Sequence, residues 1–231
     1  AGAVASLLAL AVVATAWVIA VEPAYTAERP ERRRLRYVQD MVQQKALWEA
    51  GTRERTLAPV GADPAAPRDW QADDQAPAMS MRLSRVSGVH RYRTRATGMV
   101  AQPLDTRSEA IAGEGGAELL LEATVVPRLE GTGVVFVLPP DVQPADPSLP
   151  GVVRDGRWRT TAMPLPPDGI TLRMRLSAED VARLSDARIV AIVHGAPGGI
   201  GWQRLPPWLP QDAVVWSAES WFILPWPTPA M

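Results

Sequence analysis

Histidine is the side chain best suited to proton transfer and metal binding, and this chain of 231 residues has two, His90 and His194, and no cysteine. A zinc site needs three or four ligands from His, Cys, Asp and Glu at close spacing. Neither histidine belongs to an HExxH pattern or lies beside a cluster of carboxylates. We therefore predict that this chain carries no metal-binding and no cofactor-binding residue.

The other patterns that would carry catalysis are also missing from the sequence. No serine lies in a G-x-S-x-G elbow. The glycine-rich run 195–201 has neither the lysine of a phosphate loop nor the spacing of a dinucleotide-binding turn, so we predict a turn. The acidic pairs Asp73-Asp74 and Glu179-Asp180 consist of adjacent residues, which point apart in a strand and are solvated in a loop. We predict no catalytic residue in this chain.

Three arginines alternate along a predicted strand: Arg91, Arg93 and Arg95. Alternate residues of a strand share a face, so the three define either a solvated or aggregation-resistant face or a contact with anionic lipid. The formal net charge of −1 gives no reason to expect nucleic acid as a partner.

Tryptophan is concentrated near the end of the chain. Five of the nine tryptophans follow residue 200: Trp202, Trp208, Trp216, Trp221 and Trp226. Such a cluster fits a carbohydrate platform, a membrane-interface belt or the edge of a packed core. We predict that Trp216 and Trp221 pack inside a strand, whereas Trp208 and Trp226, which lie between prolines, are more exposed interface residues.

Short apolar or alternating runs punctuated by proline and glycine predict an all-β domain, a β-sandwich, over residues 34–231. The predicted strands are 35–39, 45–49, 81–86, 90–96, 118–126, 133–138, 157–163, 170–176, 189–194 and 213–224. Residues 50–78 and 139–150 are predicted to be loops. A helical turn is expected at 178–184, with Ser177 as its cap.

The first 21 residues are apolar throughout, long enough to cross a bilayer as a helix. We predict a transmembrane helix at 1–21 and a juxtamembrane segment at 22–33; a signal peptide and a buried helix are the alternatives. The chain starts without methionine, which suggests a piece of a longer protein. Arginines at 29, 32, 33, 34 and 36 favour a cytoplasmic domain, unless earlier spans fix the orientation.

Both ends of the chain resemble a known family. The run 22–30 (EPAYTAERP), followed by 35–40 (LRYVQD) and 45–48 (KALW), resembles the segment after the last span of membrane-bound metallopeptidases of family 28, the zinc aminopeptidase-like relatives of the endoplasmic-reticulum metallopeptidase. The runs 205–210 (LPPWLP) and 214–221 (VVWSAESW) are similar to the end of the bacterial members.

The resemblance implies an accessory, non-catalytic C-terminal domain of a zinc peptidase. The zinc would belong to a catalytic domain upstream, and the partners would be that domain, its membrane helices and the lipid bilayer. The location would be the bacterial inner membrane, with this domain in the periplasm. An alternative is a membrane-anchored binding module for carbohydrate or peptide that uses the Trp-rich end; an independent hydrolase would need a catalytic site that the sequence lacks.

Overall fold

A computed structural model describes residues 32–52, 71–72, 90–96, 98–112, 118–198, 201–203 and 214–229. These residues are mostly β-strand, which confirms the predicted all-β class. Within them, no helix is long and apolar enough to cross a membrane. The predicted span at 1–21 and most of the juxtamembrane segment lie outside the described residues.

Within the described ranges, fourteen strands and one short α-helix follow in chain order. They are β1 (Arg32–Asp40), β2 (Lys45–Thr52), β3 (Gln71–Ala72), β4 (His90–Arg95), β5 (Leu104–Ala112), β6 (Glu118–Pro127), β7 (Gly133–Pro140), β8 (Gly151–Arg154), β9 (Arg157–Ala162), β10 (Ile170–Ser177), α1 (Ala178–Ala182), β11 (Arg188–His194), β12 (Ala196–Gly198), β13 (Gly201–Gln203) and β14 (Val214–Pro225).

The strands form one large and one small sheet, with a separate hairpin of β12 and β13. The large sheet has nine strands in the order β3-β4-β2-β1-β14-β11-β7-β9-β8, and the small sheet has the order β10-β6-β5. Every pair in the large sheet is antiparallel except β1 with β14, which are parallel.

One hydrophobic cluster joins the two sheets. Leu121 and Leu172 of the small sheet and Phe136, Ile189 and Phe222 of the large sheet belong to it, all with no exposed surface. Strand β7 is a continuous apolar run because it is buried on both faces. On its second face, Val135 and Val137 join a smaller cluster with Val190 and Ile223.

The predicted helical turn is confirmed. The Ser177 hydroxyl accepts a bond from the Asp180 amide at 3.1 Å, and a 3-10 turn at Arg183–Asp186 continues the helix. The side chain thus satisfies an amide that the first helical turn leaves without a partner.

Five strands were not predicted: β3, β5, β8, β12 and β13. Strands β5 and β8 lie at a sheet edge, and β8 is exposed over its whole length. Strands β12 and β13 pair as a hairpin where we predicted only a turn at 195–201. The predicted strand at 81–86 lies outside the described residues. The predicted loop at 50–78 is wrong where β2 extends to Thr52 and where β3 pairs with β4. The loop at 139–150 begins later than predicted because β7 continues through Pro140.

Candidate functional site: an open sheet edge

The two histidines do not form a site in the described part of the chain, where no group of three or more His, Asp or Glu is arranged to hold a metal ion. His194 is exposed at the end of β11 and lies opposite Glu219. The backbone of His90 starts β4, and its side chain lies outside the described residues.

The predicted arginine face lies on β4, opposite β2. Arg93 is used inside the fold, since it bonds the Glu49 carboxylate at 2.6 Å. Arg95 is exposed, and the side chain of Arg91 is not among those that the structure describes. The same Glu49 also pairs with Arg36 at 3.5 Å, so one member of the predicted face belongs to an ion-pair network across three strands.

The network continues to a tryptophan. The Arg36 guanidinium lies 3.8 Å from the centre of a Trp221 ring, and the Trp221 indole donates to Glu219 at 3.1 Å. Trp221 is half-buried and packs against the smaller cluster. A cation above an indole stabilises both groups, which agrees with the predicted structural role of Trp221.

The prediction that Trp226 is exposed is wrong. Its side chain is only 6% exposed, and its ring lies 5.9 Å from that of Phe136 in the main core. The flanking prolines do keep residues 226–229 out of a strand, but this segment folds back over the end of the core. Trp208 and the side chain of Trp216 lie outside the described residues.

The sheet edges differ in how much backbone they leave open. The outer edge of β10 is bonded to Ala145, whose amide and carbonyl exchange bonds with Arg175 at 2.9 Å. Strand β8 has four residues and β3 has two. Strand β5 has nine residues, and among the described residues none pairs with its outer edge. It is the longest open edge in the described structure.

The register determines which β5 groups face that edge. Just before β5, the Pro103 carbonyl accepts from the Arg128 amide at 2.7 Å, in line with the pairing of β5 and β6. Opposed residues in an antiparallel pair alternate between bonded and non-bonded. The odd-numbered residues of β5 therefore bond β6. The outward amides and carbonyls belong to the even-numbered residues Leu104, Thr106, Ser108, Ala110 and Ala112.

The even-numbered side chains face the core and are mostly small. Leu104 has no exposed surface and Ser108 is 6% exposed, whereas Ala110 is half-buried against the core and Ala112 is exposed. The Ser108 hydroxyl donates to the Pro227 carbonyl at 2.6 Å, so the segment that carries Trp226 is fixed to this strand. Small side chains at an edge leave room beside them for larger groups.

The odd-numbered side chains form an exposed row that alternates in charge: Asp105, Arg107, Glu109. Asp105 pairs with Arg128, and this hydrogen bond lowers the pKa of the carboxyl below its ordinary value. Glu109 lies directly opposite Glu122, whose own partner is Arg173 at 2.9 Å. No ion pair is found for Arg107 or Glu109 within the described residues. A positive group next to Glu109 would therefore offset the repulsion between the Glu109 and Glu122 carboxylates.

Sequence patterns gave little sign of this strand. Its sequence, LDTRSEAIA, has few β-branched and no aromatic residues, which are the usual strand signals. The one usable signal was alternation, with charge at 105, 107 and 109 and uncharged residues between them.

No family model matches the chain, and no curated protein matches it. Among solved structures, the chain is similar to a yeast delta-COP-I mu-homology domain complexed with a Dsl1 WxWxV peptide. The identity is 12%, 84% of this chain and 94% of that one are covered, and the TM-score is 0.36. It is also similar to the Fcho1 mu homology domain of Danio rerio with a bound Eps15 peptide, at 10% identity, 85% and 96% coverage, and a TM-score of 0.32.

Both TM-scores are too low to assign the chain to either fold. The structures found are mu-homology domains with bound peptides, and none of the comparisons supports the predicted accessory domain of a zinc peptidase, which is not retained. The resemblance of both chain ends to family 28 metallopeptidases stays a prediction, and so does zinc in an upstream domain.

Proposed function

We propose that this protein is a binding module for an extended peptide, which docks as an added strand on β5. The observation that carries the proposal is the open edge of β5, with the amides and carbonyls of five residues turned outward. Main-chain hydrogen bonds of this kind hold a peptide in register, and alternate side-chain positions select its sequence.

The side chains of β5 define the peptide. Residues of the peptide that point toward the core would lie beside Ala110 and Ala112, where small side chains leave space for apolar groups. Residues on the other face would lie beside Arg107 and Glu109. Cross-strand pairs of opposite charge are favourable, so we propose a peptide that alternates apolar and charged residues, with a basic residue beside Glu109 and an acidic one beside Arg107.

We further propose that the domain is a β-sandwich, supported by the hydrophobic cluster that both sheets share. The apolar segment at 1–21 is our proposed membrane anchor, and the bacterial inner membrane with a periplasmic domain is the proposed location. The proposals on the membrane anchor and the location rest on the sequence, and they are independent of the peptide edge.

The test removes one outward amide. Proline is tolerated in an edge strand where its nitrogen faces outward, so Ala110→Pro deletes a donor that β6 does not use. A displayed library of random short peptides is selected on the full chain held in phosphatidylcholine nanodiscs. We expect the selected peptides to lose roughly tenfold in affinity for Ala110→Pro, because one bond and its neighbours are lost.

The control is Ala110→Ser, which keeps the amide and should bind as the parent does. Equal affinity for the proline variant, in a protein with an unchanged far-UV spectrum, would contradict docking on β5. A selection that yields no peptide, with the chain instead forming dimers through β5, would also contradict the proposal.

A further inference from the structure

The hairpin of β8 and β9 lies at one edge of the large sheet, whereas β5 lies at an edge of the small sheet. A two-residue turn joins the two strands of the hairpin. Asp155 and Gly156 have φ angles of 52° and 71°. Two positive φ angles are typical of a type I′ turn, for which Asp-Gly is a preferred sequence. The turn therefore fixes which residues face each other across the hairpin.

That register brings three arginines together. Arg154 lies directly opposite Arg157, and Arg159 lies opposite Val152, two residues farther from the turn. Residues two apart on a strand share a face, so the three guanidinium groups belong to one face of the hairpin. Like charges directly opposite each other destabilise a strand pair, and an anion bound between them would remove that penalty.

Arg159 is the buried member of the group. Its side chain is 10% exposed, and the acid near it is Asp155 at 3.5 Å. Its Nε atom is buried and has no hydrogen-bond partner among the residues that the structure describes. Burial lowers the pKa of Arg159, Asp155 raises it, and the charges of Arg154 and Arg157 lower it further. The buried guanidinium thus has unused hydrogen-bonding capacity at a site with excess positive charge.

Two exposed apolar side chains lie beside the arginines. Val152 is 67% exposed and Val153 is 54% exposed, the largest values among the large apolar residues described. Adjacent residues of a strand point to opposite faces, so the valines flank the edge on both sides. A polypeptide running along the edge would contact both, whereas a membrane surface would meet one face.

We propose that the β8–β9 hairpin docks an acidic, partly apolar segment of a partner protein, whose carboxylates pair with Arg154, Arg157 and Arg159 and whose apolar residues cover Val152 and Val153. Arginine suits this role because its planar guanidinium binds a carboxylate through two hydrogen bonds. The site is independent of β5.

The probes are a synthetic peptide of alternating Glu and Val, the same peptide with Gln for Glu, inorganic phosphate, and vesicles of phosphatidylglycerol. The full chain is held in phosphatidylcholine nanodiscs. We expect the Glu peptide alone to bind, with affinity that falls as salt is added. The double variant Arg154→Gln/Arg157→Gln should weaken it roughly tenfold. Arg95→Gln, an exposed arginine in the same sheet, is the matched control, and Ala110→Pro should also leave this binding unchanged.

Equal binding of the Gln peptide, or an equal loss in Arg95→Gln, would overturn the proposal, because charge at the hairpin would then not select the ligand. Binding of the vesicles or of phosphate in place of the peptide would overturn it in favour of a lipid or small-anion site. If the double variant has an altered far-UV spectrum, Val152→Ser is tested in its place. This substitution keeps the three arginines and should still lower the affinity for the Glu peptide. An unchanged affinity would contradict the proposal.

Discussion

Glu109 of β5 and Glu122 of β6 lie directly opposite each other, and among the described residues Arg173 of β10 pairs with Glu122 alone, at 2.9 Å. The small sheet therefore compensates one acidic group of the pair within the described structure. The other acidic group faces the edge at which we propose that a peptide binds. Without a bound peptide, the repulsion between Glu109 and Glu122 therefore lowers the stability of the folded protein.

Glu109→Lys should consequently stabilise the protein. The substitution replaces two opposed carboxylates by an opposite-charge pair, which is worth about 0.2–1 kcal/mol across a strand pair. Urea denaturation of the two proteins gives the difference in the free energy of unfolding. A decrease in stability would contradict the proposed repulsion. The variant should also prefer peptides with an acidic residue at the position beside residue 109.

Arg154→Glu should have the corresponding effect on the hairpin. It converts the Arg154–Arg157 pair into an ion pair, so the free energy of unfolding should rise by about 0.2–1 kcal/mol. The same variant should no longer bind the acidic peptide. Thermal unfolding and peptide titration of one preparation measure both effects. A variant that loses stability and keeps its peptide affinity would show that the two arginines do not repel.

Trp226 should contribute more to stability than Trp221. Truncation of a buried tryptophan costs about 3–5 kcal/mol, and Trp226 is 6% exposed against Phe136. Trp221 is half-buried, so Trp221→Ala should cost less, in part through the lost contact with Arg36. Chemical denaturation of the two alanine variants tests the order. Equal losses, or a larger loss for Trp221→Ala, would contradict the assignment of Trp226 to the core.

Tyr37 should make the protein sensitive to alkali. Burial raises the pKa of Tyr37 to about 12 from an ordinary value of 10.0, although a hydrogen bond with the Val100 backbone lowers it. The folded state holds this proton more tightly than the unfolded state. The stabilisation is therefore complete below pH 10 and is lost as the pH rises toward 12. The tyrosinate absorbance and the unfolding free energy should change together in that range. Tyr37→Phe should remove this step; a step that persists belongs to another group.

The sequence predicted the interior of the fold better than its edges. Strands such as β6 and β7 are rich in Leu and Val because both lie next to the core, and such runs are recognisable. Strand β5 has an exposed outer face, and no described residue pairs with its outer edge, so few positions require an apolar side chain. The position of β5 at the edge of its sheet makes it a candidate site, and the same position leaves its sequence without the apolar pattern by which strands are recognised.

Trp226 shows a second limit. Prolines on both sides correctly indicated a segment outside the strands, but exposure did not follow from that. The segment is held against β5 by the Ser108–Pro227 hydrogen bond, and the indole fills the end of the core beside Phe136. Contacts between residues far apart in the sequence decide the burial, and no local pattern reports them.

Residue-resolved amide exchange tests the central claim, strand addition at β5, most directly. The full chain is compared with and without a saturating amount of a selected peptide. We predict that the amides of Thr106, Ser108 and Ala110 exchange more slowly in the complex, while those of Arg107 and Glu109, already bonded to β6, change little. Protection that ignores this alternation, or that appears in other strands and not in β5, would contradict it.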